Sequence, residues 1–380
     1  MSAPRRILAG FAAALGLAGS PALAIEPPPA PPIAARAYVL IDAQSGQTLA
    51  ALGAEERFEP ASLTKLMTAR LVLEAIRAGR LEREAKVKIS ERAWKAGGAR
   101  MFLDPGTPAT VGELLSGMIV QSGNDAAIAL AEAVAGSEEA FVALMNREAK
   151  RLGLADTAFA NATGMPAPDH HASARDLARL AATLIHEHPG DYALYSQKEY
   201  TYNRITQSNR NRLLWIDPTV DGVKTGFTES AGYGLVASAR RGERRLISVV
   251  LGAKSDALRT SESQKLLNFG FQAFETRRLY RKGEAVATPE IFKGTSRTLR
   301  LGFARDVWLT LPRDRFAGIR PVLETRQPFV APFSAGQKAG IMRLTRDNAT
   351  LAEFALVALE DVPVAGFLSR GWDTLRLLFR

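Results

Sequence analysis

Helical periodicity runs from residue 60 to about 188, and strand-patterned segments stand on both sides of it. Ahead of it lie AYVLIDA (37–43) and QTLAALG (47–53), joined across Gln44-Ser45-Gly46 as a hairpin. Behind it come VDGVKTGFT, YGLVASAR and RRLISVVLGA, the last two bracketing a turn at Arg241-Gly242, and then a helical stretch, SESQKLLNFGFQAF. Short strands at the two extremities cannot bury their apolar faces separately. This order predicts one sheet built from both ends of the segment with the helices inserted between them, an α+β plan. Thr110 with Glu113, and Ser173 with Asp176, have capping-box spacing and mark two helix starts.

From about residue 286 the texture changes to short alternating segments such as SRTLRLGF, DVWLTLP and IMRLTRDNATLAEFALVAL, which predict a small all-β domain over 286–362. The last stretch, 363–380, returns to helical spacing. Residues 1–24 open with Arg5 and Arg6, continue through a short apolar run and end in Ala22-Leu23-Ala24, the pattern of a secretory signal peptide. Proline-rich IEPPPAPPIAA then forms a stiff leader over 25–35. The expected divisions are therefore a leader, a catalytic domain over 36–285, the β domain and a tail helix.

Cysteine is absent, which excludes thiol catalysis and disulfide staples. Loss of residues 1–24 removes two arginines and no acid, lowering the net charge from +10 to +8. Residues 281–380 hold 16 Lys/Arg against 10 Asp/Glu, so most of the excess lies there. A basic exported chain points to an anionic membrane or wall; no nucleic-acid motif accompanies the charge.

Three short motifs carry chemistry. In EPASLTKLMTARLVLEAI (59–76), Pro60 suits a helix start, and Leu63, Leu66, Met67 and Ile76 can share a buried side. Ser62 and Lys65 then fall on one face of the opening turn, as S-x-x-K. Ser122-Gly123-Asn124 is S-x-N at a break between helices, and Lys224-Thr225-Gly226 is K-T-G opening a strand. Singly, each reads as a helix cap, a solvated lysine or a common tripeptide. Together, in order and in context, they form a nucleophile with its base. A serine hydroxyl needs a proton acceptor, and a lysine serves only when neutral. Burial and a second cation, Lys224, are expected to lower the pKa of Lys65. Ser122 can relay a proton to a leaving amine and Asn124 can bond a substrate amide. Lys224 and Thr225 offer a charge and a hydroxyl to a carboxylate, and the N–H groups of Ser62 and Phe227 can form an oxyanion hole.

At these residues, and across blocks such as LLSGMIVQSGNDAAIALAE, NATGMPAPDHHASARDLARL and LISVVLGAKSDALRTSESQKLLNFGF, the chain resembles a known family. It is similar to the low-molecular-mass penicillin-binding proteins that act as serine D-alanyl-D-alanine carboxypeptidases, over roughly residues 36–275 and more weakly to the end. The resemblance implies a penicillin-binding, serine β-lactamase-like transpeptidase domain, an antiparallel sheet with a helical insert, followed by a small all-β domain and a C-terminal amphipathic helix. It implies acylation of Ser62 by a peptidoglycan stem peptide ending in D-Ala-D-Ala and by β-lactams, without a cofactor. Arg210 and Arg259 are implied to position the motifs or the substrate carboxylate. Two departures stand out: Phe227 occupies a position often held by histidine, and His171 one often held by tyrosine.

Rival readings remain at this stage. A serine β-lactamase shares the trio, but no E-x-x-L-N block follows Ser122-Gly123-Asn124. A D,D-endopeptidase and a silent wall-binding scaffold are the others. Asp169-His170-His171 and His186-x-His188 lack a full metal-ligand set, so no metal site is expected. In the tail, Phe367, Leu368, Trp372, Leu375, Leu378 and Phe379 gather on one side of a helix, with Ser369, Arg370, Asp373, Arg376 and Arg380 on the other. That is too short to span a bilayer and suits an in-plane anchor on an anionic membrane; a helix packed on the β domain is the alternative.

Overall fold

The computed structural model describes residues 26–378. The signal peptide expected at 1–24, and Phe379 and Arg380 of the tail, lie outside the described residues.

The described chain forms two units, Pro27–Glu284 with Arg305–Arg315, and Ala285–Ala304 with the residues from Phe316 onward. In the first unit, β1 (Ala37–Asp42), β2 (Thr48–Leu52), β3 (Val220–Thr228), β4 (Gly232–Arg241) and β5 (Arg244–Ala253) make one antiparallel sheet. Its order is β2-β1-β5-β4-β3, so the expected joining of the two extremities is the β1–β5 pairing, Ala37 opposite Leu251. Every residue of β1 is buried. Alternation sends Ala37, Val39 and Ile41 to one face and Tyr38 and Leu40 to the other, into two separate apolar clusters. The sheet is therefore covered on both faces.

One face meets α1 (Lys65–Arg77), α2 (Val111–Val120), α3 (Asn124–Ala135), α4 (Glu138–Arg151) and α5 (Ala174–Glu187), whose leucines, alanines and methionines share the larger cluster. The other face meets α6 (Asp256–Ala273) through Leu266, Leu267 and Phe271. Gly270 permits the close approach: a Cβ there would lie 2.6 Å from Leu246 Cδ1 and 2.7 Å from Leu40 Cδ2.

Local signals were realised with two differences. Thr110 and Glu113 form a complete capping box. At Ser173 only half of one forms, because the Asp176 carboxylate accepts from Asp156 N–H and Thr157 Oγ1 instead of reaching back to the cap. Segment DVWLTLP supplies β7 (Val307–Pro312), which pairs with β6 (Phe274–Tyr280) in the first unit. Gln47 Oε1 accepts from Thr310 N–H at 2.6 Å, and the Ser45 and Thr310 hydroxyls bond at 2.7 Å.

The second unit is built on a five-stranded sheet of short and long antiparallel strands over a small core that includes Leu299, Leu301, Phe329 and Val362. Its last element is α7 (Phe367–Leu378). Asp373 accepts from Lys293 N–H at 2.5 Å, Arg376 pairs with Glu290 at 2.7 Å, and the Arg376 guanidinium lies over Phe292. The apolar side stays outward: Phe367 is 84% and Leu368 87% exposed, with Trp372, Leu375 and Leu378 more than half exposed. No described helix is long and apolar enough to cross a membrane.

Candidate active site

Ser62 sits on a 3-10 turn, Ala61–Thr64, that runs directly into α1. Two features place that turn. Ala61 has a left-handed backbone, φ 49°, and its carbonyl is backed by Gly164, where a Cβ would lie 1.7 Å from Ala61 O. From the sheet side, Gly226 of β3 lets the strand pass the turn, since a Cβ there would meet Pro60 O at 3.0 Å. The helix that follows is buried almost all round rather than on one stripe, and Lys65 is 2% exposed. The solvated-lysine reading is thereby excluded.

Lys65 Nζ lies 3.0 Å from Ser62 Oγ, 2.7 Å from Asn124 Oδ1 and 2.6 Å from the Thr163 carbonyl. Asn124 Nδ2 donates to Gly97 O at 2.7 Å, which fixes Oδ1 as the atom facing the lysine. Two of the three neighbours can only accept. A neutral amine has two N–H bonds and one lone pair, so when both carbonyls are served the lone pair falls to Ser62. Burial is the main cause that lowers the Lys65 pKa to about 7, with the positive charge of Arg210 adding to it and Asp125 opposing it. Arg210 thus takes the part expected of Lys224. Lys224 is itself held well below the usual lysine value by burial, by Lys65 and by Arg210 and Arg259.

Ser122 has a left-handed backbone, φ 64°, is 2% exposed, and its Oγ has no partner among the described residues. A buried hydroxyl without a bond, on a strained residue, is uncommon away from functional sites. Ser62, Ser122, Asn124, Thr225, Gly226, Phe227, Arg210 and Arg259 all line one cleft of about 960 Å³. All three motifs converge there, and their two lysines, Lys65 and Lys224, are buried.

A model of the D-alanyl-D-alanine carboxypeptidase family matches residues 24–255, and one described as penicillin-binding protein 5, C-terminal domain, matches residues 274–364. D-alanyl-D-alanine carboxypeptidase DacC of Escherichia coli K12 is 42% identical over 358 residues, 92% of this chain and 90% of that protein. The chain belongs to the D-alanyl-D-alanine carboxypeptidase family. Penicillin-binding protein 5 from Haemophilus influenzae superposes with a TM-score of 0.83 at 39% identity, over 88% of this chain and 98% of that one. Penicillin-binding protein D2 from Listeria monocytogenes, solved in an ampicillin-bound form, has a TM-score of 0.59 at 32% identity, over 64% of this chain and all of that one.

Within this family member the expected ligands of substrate divide into distinct sorts. Arg210 is exposed on the cleft wall. Arg259 is buried; it donates to Gly226 O at 3.0 Å, pairs with Asp256 at 2.5 Å and lies under Tyr233, so it holds the K-T-G strand in place. Phe227 is 49% exposed and packs on Tyr233 with ring centroids 4.4 Å apart. Asn124 bonds Lys65 and Gly97, leaving one N–H of its amide for a ligand.

Two contributors were not singled out from sequence. The Thr163 carbonyl is aimed at Lys65 by a turn in which Asn161 Oδ1 accepts from Thr163 and Gly164 N–H groups; N-x-T-G was its signal. His170 receives Ala160 N–H on Nδ1 at 2.9 Å, so Nε2 carries the proton and donates to Thr64 Oγ1 at 2.8 Å. Burial lowers the His170 pKa to about 4, which keeps it neutral. Glu74, Glu187 and His188 also come together, their ligand atoms within 4.8 Å. Both carboxylates face the fully buried Arg70, which bonds Glu187 at 2.6 Å and Glu148 at 2.7 Å, so the cluster balances that arginine's charge.

Proposed function

We propose that this chain removes the terminal D-alanine from peptidoglycan stem peptides ending in D-Ala-D-Ala, through an acyl-enzyme on Ser62. The observation that carries the reading is the geometry of Lys65, whose two carbonyl acceptors leave its lone pair to the serine hydroxyl. In this mechanism Ser62 Oγ attacks the penultimate D-alanine carbonyl and its proton passes to Lys65. The N–H groups of Ser62 and Phe227 take the oxyanion. Ser122 hands its proton to the departing amine as the C–N bond breaks and takes the proton held by Lys65, which is left neutral. Water, deprotonated by Lys65, then cleaves the ester and returns the proton to Ser62. The terminal carboxylate is received by Thr225, Arg210 and Lys224, and its negative charge would favour the protonated form of Lys224. β-Lactams acylate the same serine, and the long-lived adduct expected of a penicillin-binding protein follows. Purified protein should release D-alanine from diacetyl-L-Lys-D-Ala-D-Ala, and Ser62→Ala should abolish it; release that persists in the variant refutes the assignment.

Two features of the chain support a site of action. The signal-peptide pattern at 1–24 supports export. At the other end, α7 turns Asp373 and Arg376 to its own unit and leaves its apolar residues uncovered, which supports an in-plane anchor on the outer face of the cytoplasmic membrane. Protein truncated after Pro363 should keep activity on small peptides but lose binding to anionic vesicles, and binding of the full chain should weaken with salt. Equal partitioning of the two forms would remove the anchor.

A further inference from the structure

The segment from Trp94 to Pro108 walls the cleft through Gly98 and Ala99, and two of its side chains take no part in the mechanism above. Phe102 has a left-handed backbone, φ 64°, with its ring 45% exposed. That conformation is unfavourable for a bulky residue. Its neighbours enforce it: Met101 N–H and Leu103 N–H both donate to the buried Asp125 carboxylate, at 3.0 and 3.1 Å. The clamp thereby pushes the ring outward when the chain on either side is buried. Arg100 is exposed, places its guanidinium over that ring at 5.5 Å, and has no acidic partner among the described residues. Its backbone is pinned to the cleft wall, because Ala99 O accepts from Asn124 N–H at 2.7 Å and Arg100 O accepts from Gln207 Nε2 at 3.0 Å.

An outward ring carrying an unpaired cation, fixed at the edge of a substrate cleft, suits a carboxylate borne on an apolar stem. The backbone says which part of a substrate it meets: Ala99, whose carbonyl accepts from Asn124 N–H, sets Arg100 on the side of Asn124, the residue placed to bond a substrate amide. We propose that Arg100 and Phe102 form a subsite for the acidic residues of the stem peptide upstream of the scissile bond. The proposal rests on the carboxypeptidase reading and deepens it.

Two substrates separate the subsite from the chemistry: L-Ala-γ-D-Glu-diaminopimelyl-D-Ala-D-Ala, which carries upstream carboxylates, and diacetyl-L-Lys-D-Ala-D-Ala, which does not. Arg100→Ala and Phe102→Gly should each raise KM for the pentapeptide about fivefold, the size of a partly exposed charge contact, while kcat, the diacetyl tripeptide and penicillin acylation stay unchanged. Phe102→Gly also relieves the left-handed strain, so its thermal midpoint should hold or rise, and loss of folding cannot mimic the result. Binding of both peptides to Ser62→Ala protein gives a readout without turnover. There the pentapeptide with upstream carboxylates should bind more tightly than the diacetyl tripeptide, and Arg100→Ala should erase the difference. An equal fall on both substrates, or unchanged pentapeptide KM in both variants, overturns the subsite. Absence of D-alanine release by the wild-type protein, with the binding difference intact, would instead overturn the hydrolytic reading and leave the subsite supported.

Discussion

Acylation of Ser62 should be limited, on its acid side, by the proton on Lys65. An unperturbed lysine near 10.5 would be neutral in only about one molecule in 3,000 at pH 7, whereas at about 7 half of the molecules carry a free base. Burial therefore supplies some three orders of magnitude in competent enzyme. The second-order rate constant for benzylpenicillin, followed by stopped-flow fluorescence between pH 5.5 and 10, should climb tenfold per pH unit and level off above about 7. Arg210 is the charge that adds to burial, so Arg210→Gln should move the midpoint upward. Rates in that variant should be lowered about three- to tenfold more at pH 6 than at pH 9, over and above any uniform loss from carboxylate binding. A flat profile, or a midpoint unmoved by Arg210→Gln, would remove Lys65 from the role. Stability carries the same signature with a definite sign. The unfolded chain holds the lysine proton more tightly than the folded one, so folding is disfavoured by on the order of 5 kcal/mol below pH 7 and regains it as pH rises from 7 towards 10.

Lys65→Arg keeps the charge but cannot give it up near neutrality, so penicillin acylation should fall by about 10²–10⁴-fold, and near-normal labelling would contradict the base assignment. Gly164→Ala places a methyl 1.7 Å from Ala61 O and demands a left-handed alanine; melting and labelling should show a loss of 3 kcal/mol or more, roughly, or a displaced and unreactive Ser62. Wild-type behaviour of that variant would mean the Ser62 turn is not packed as described. His170 is neutral in the fold and titrates near 6.5 when unfolded, so its contribution of about 3 kcal/mol is complete above pH 6.5 and is lost as pH falls towards 4. His170→Gln should flatten that limb of the urea-denaturation profile, and an unchanged limb would assign it to other groups.

What sequence made legible was the chemistry carried by side chains and the periodicities that place them. Ser62 and Lys65 needed only the pitch of a helical turn, and β1 with β5 needed only strands that lacked other partners. What it left dark was decided by backbone atoms and by competition between partners. Thr163 serves Lys65 through its carbonyl, an atom every residue has, so only the turn around Asn161 hinted at it. Asp176 matched the capping-box spacing, yet two donors from Asp156 and Thr157 drew its carboxylate elsewhere. Val307–Pro312 has the alternation of its neighbours in the β domain, and periodicity alone does not say which sheet edge a strand will join. Arg259 was implied to position either the motifs or a substrate carboxylate, and which of the two depends on backbone atoms: the carbonyls of Gly226 and Gly234 occupy it.

These backbone contacts explain why so unfavourable a site can persist. The Ser62 turn is fixed on one side by the Gly164 loop, on another by Gly226 of the sheet's edge strand, and on a third by His170 through Thr64. Lys65 enters with its rotamers already restricted by two carbonyls, so roughly 2 kcal/mol of side-chain entropy is lost in folding and not again at the reaction. Ser122 Oγ is buried without a bond among the described residues, and in the proposed mechanism its bond forms as a leaving amine arrives. The first proton transfer, from Ser62 to Lys65, can then proceed between groups that already stand within hydrogen-bond distance. That is the condition under which placed dipoles lower a barrier without the reorganisation that water would require.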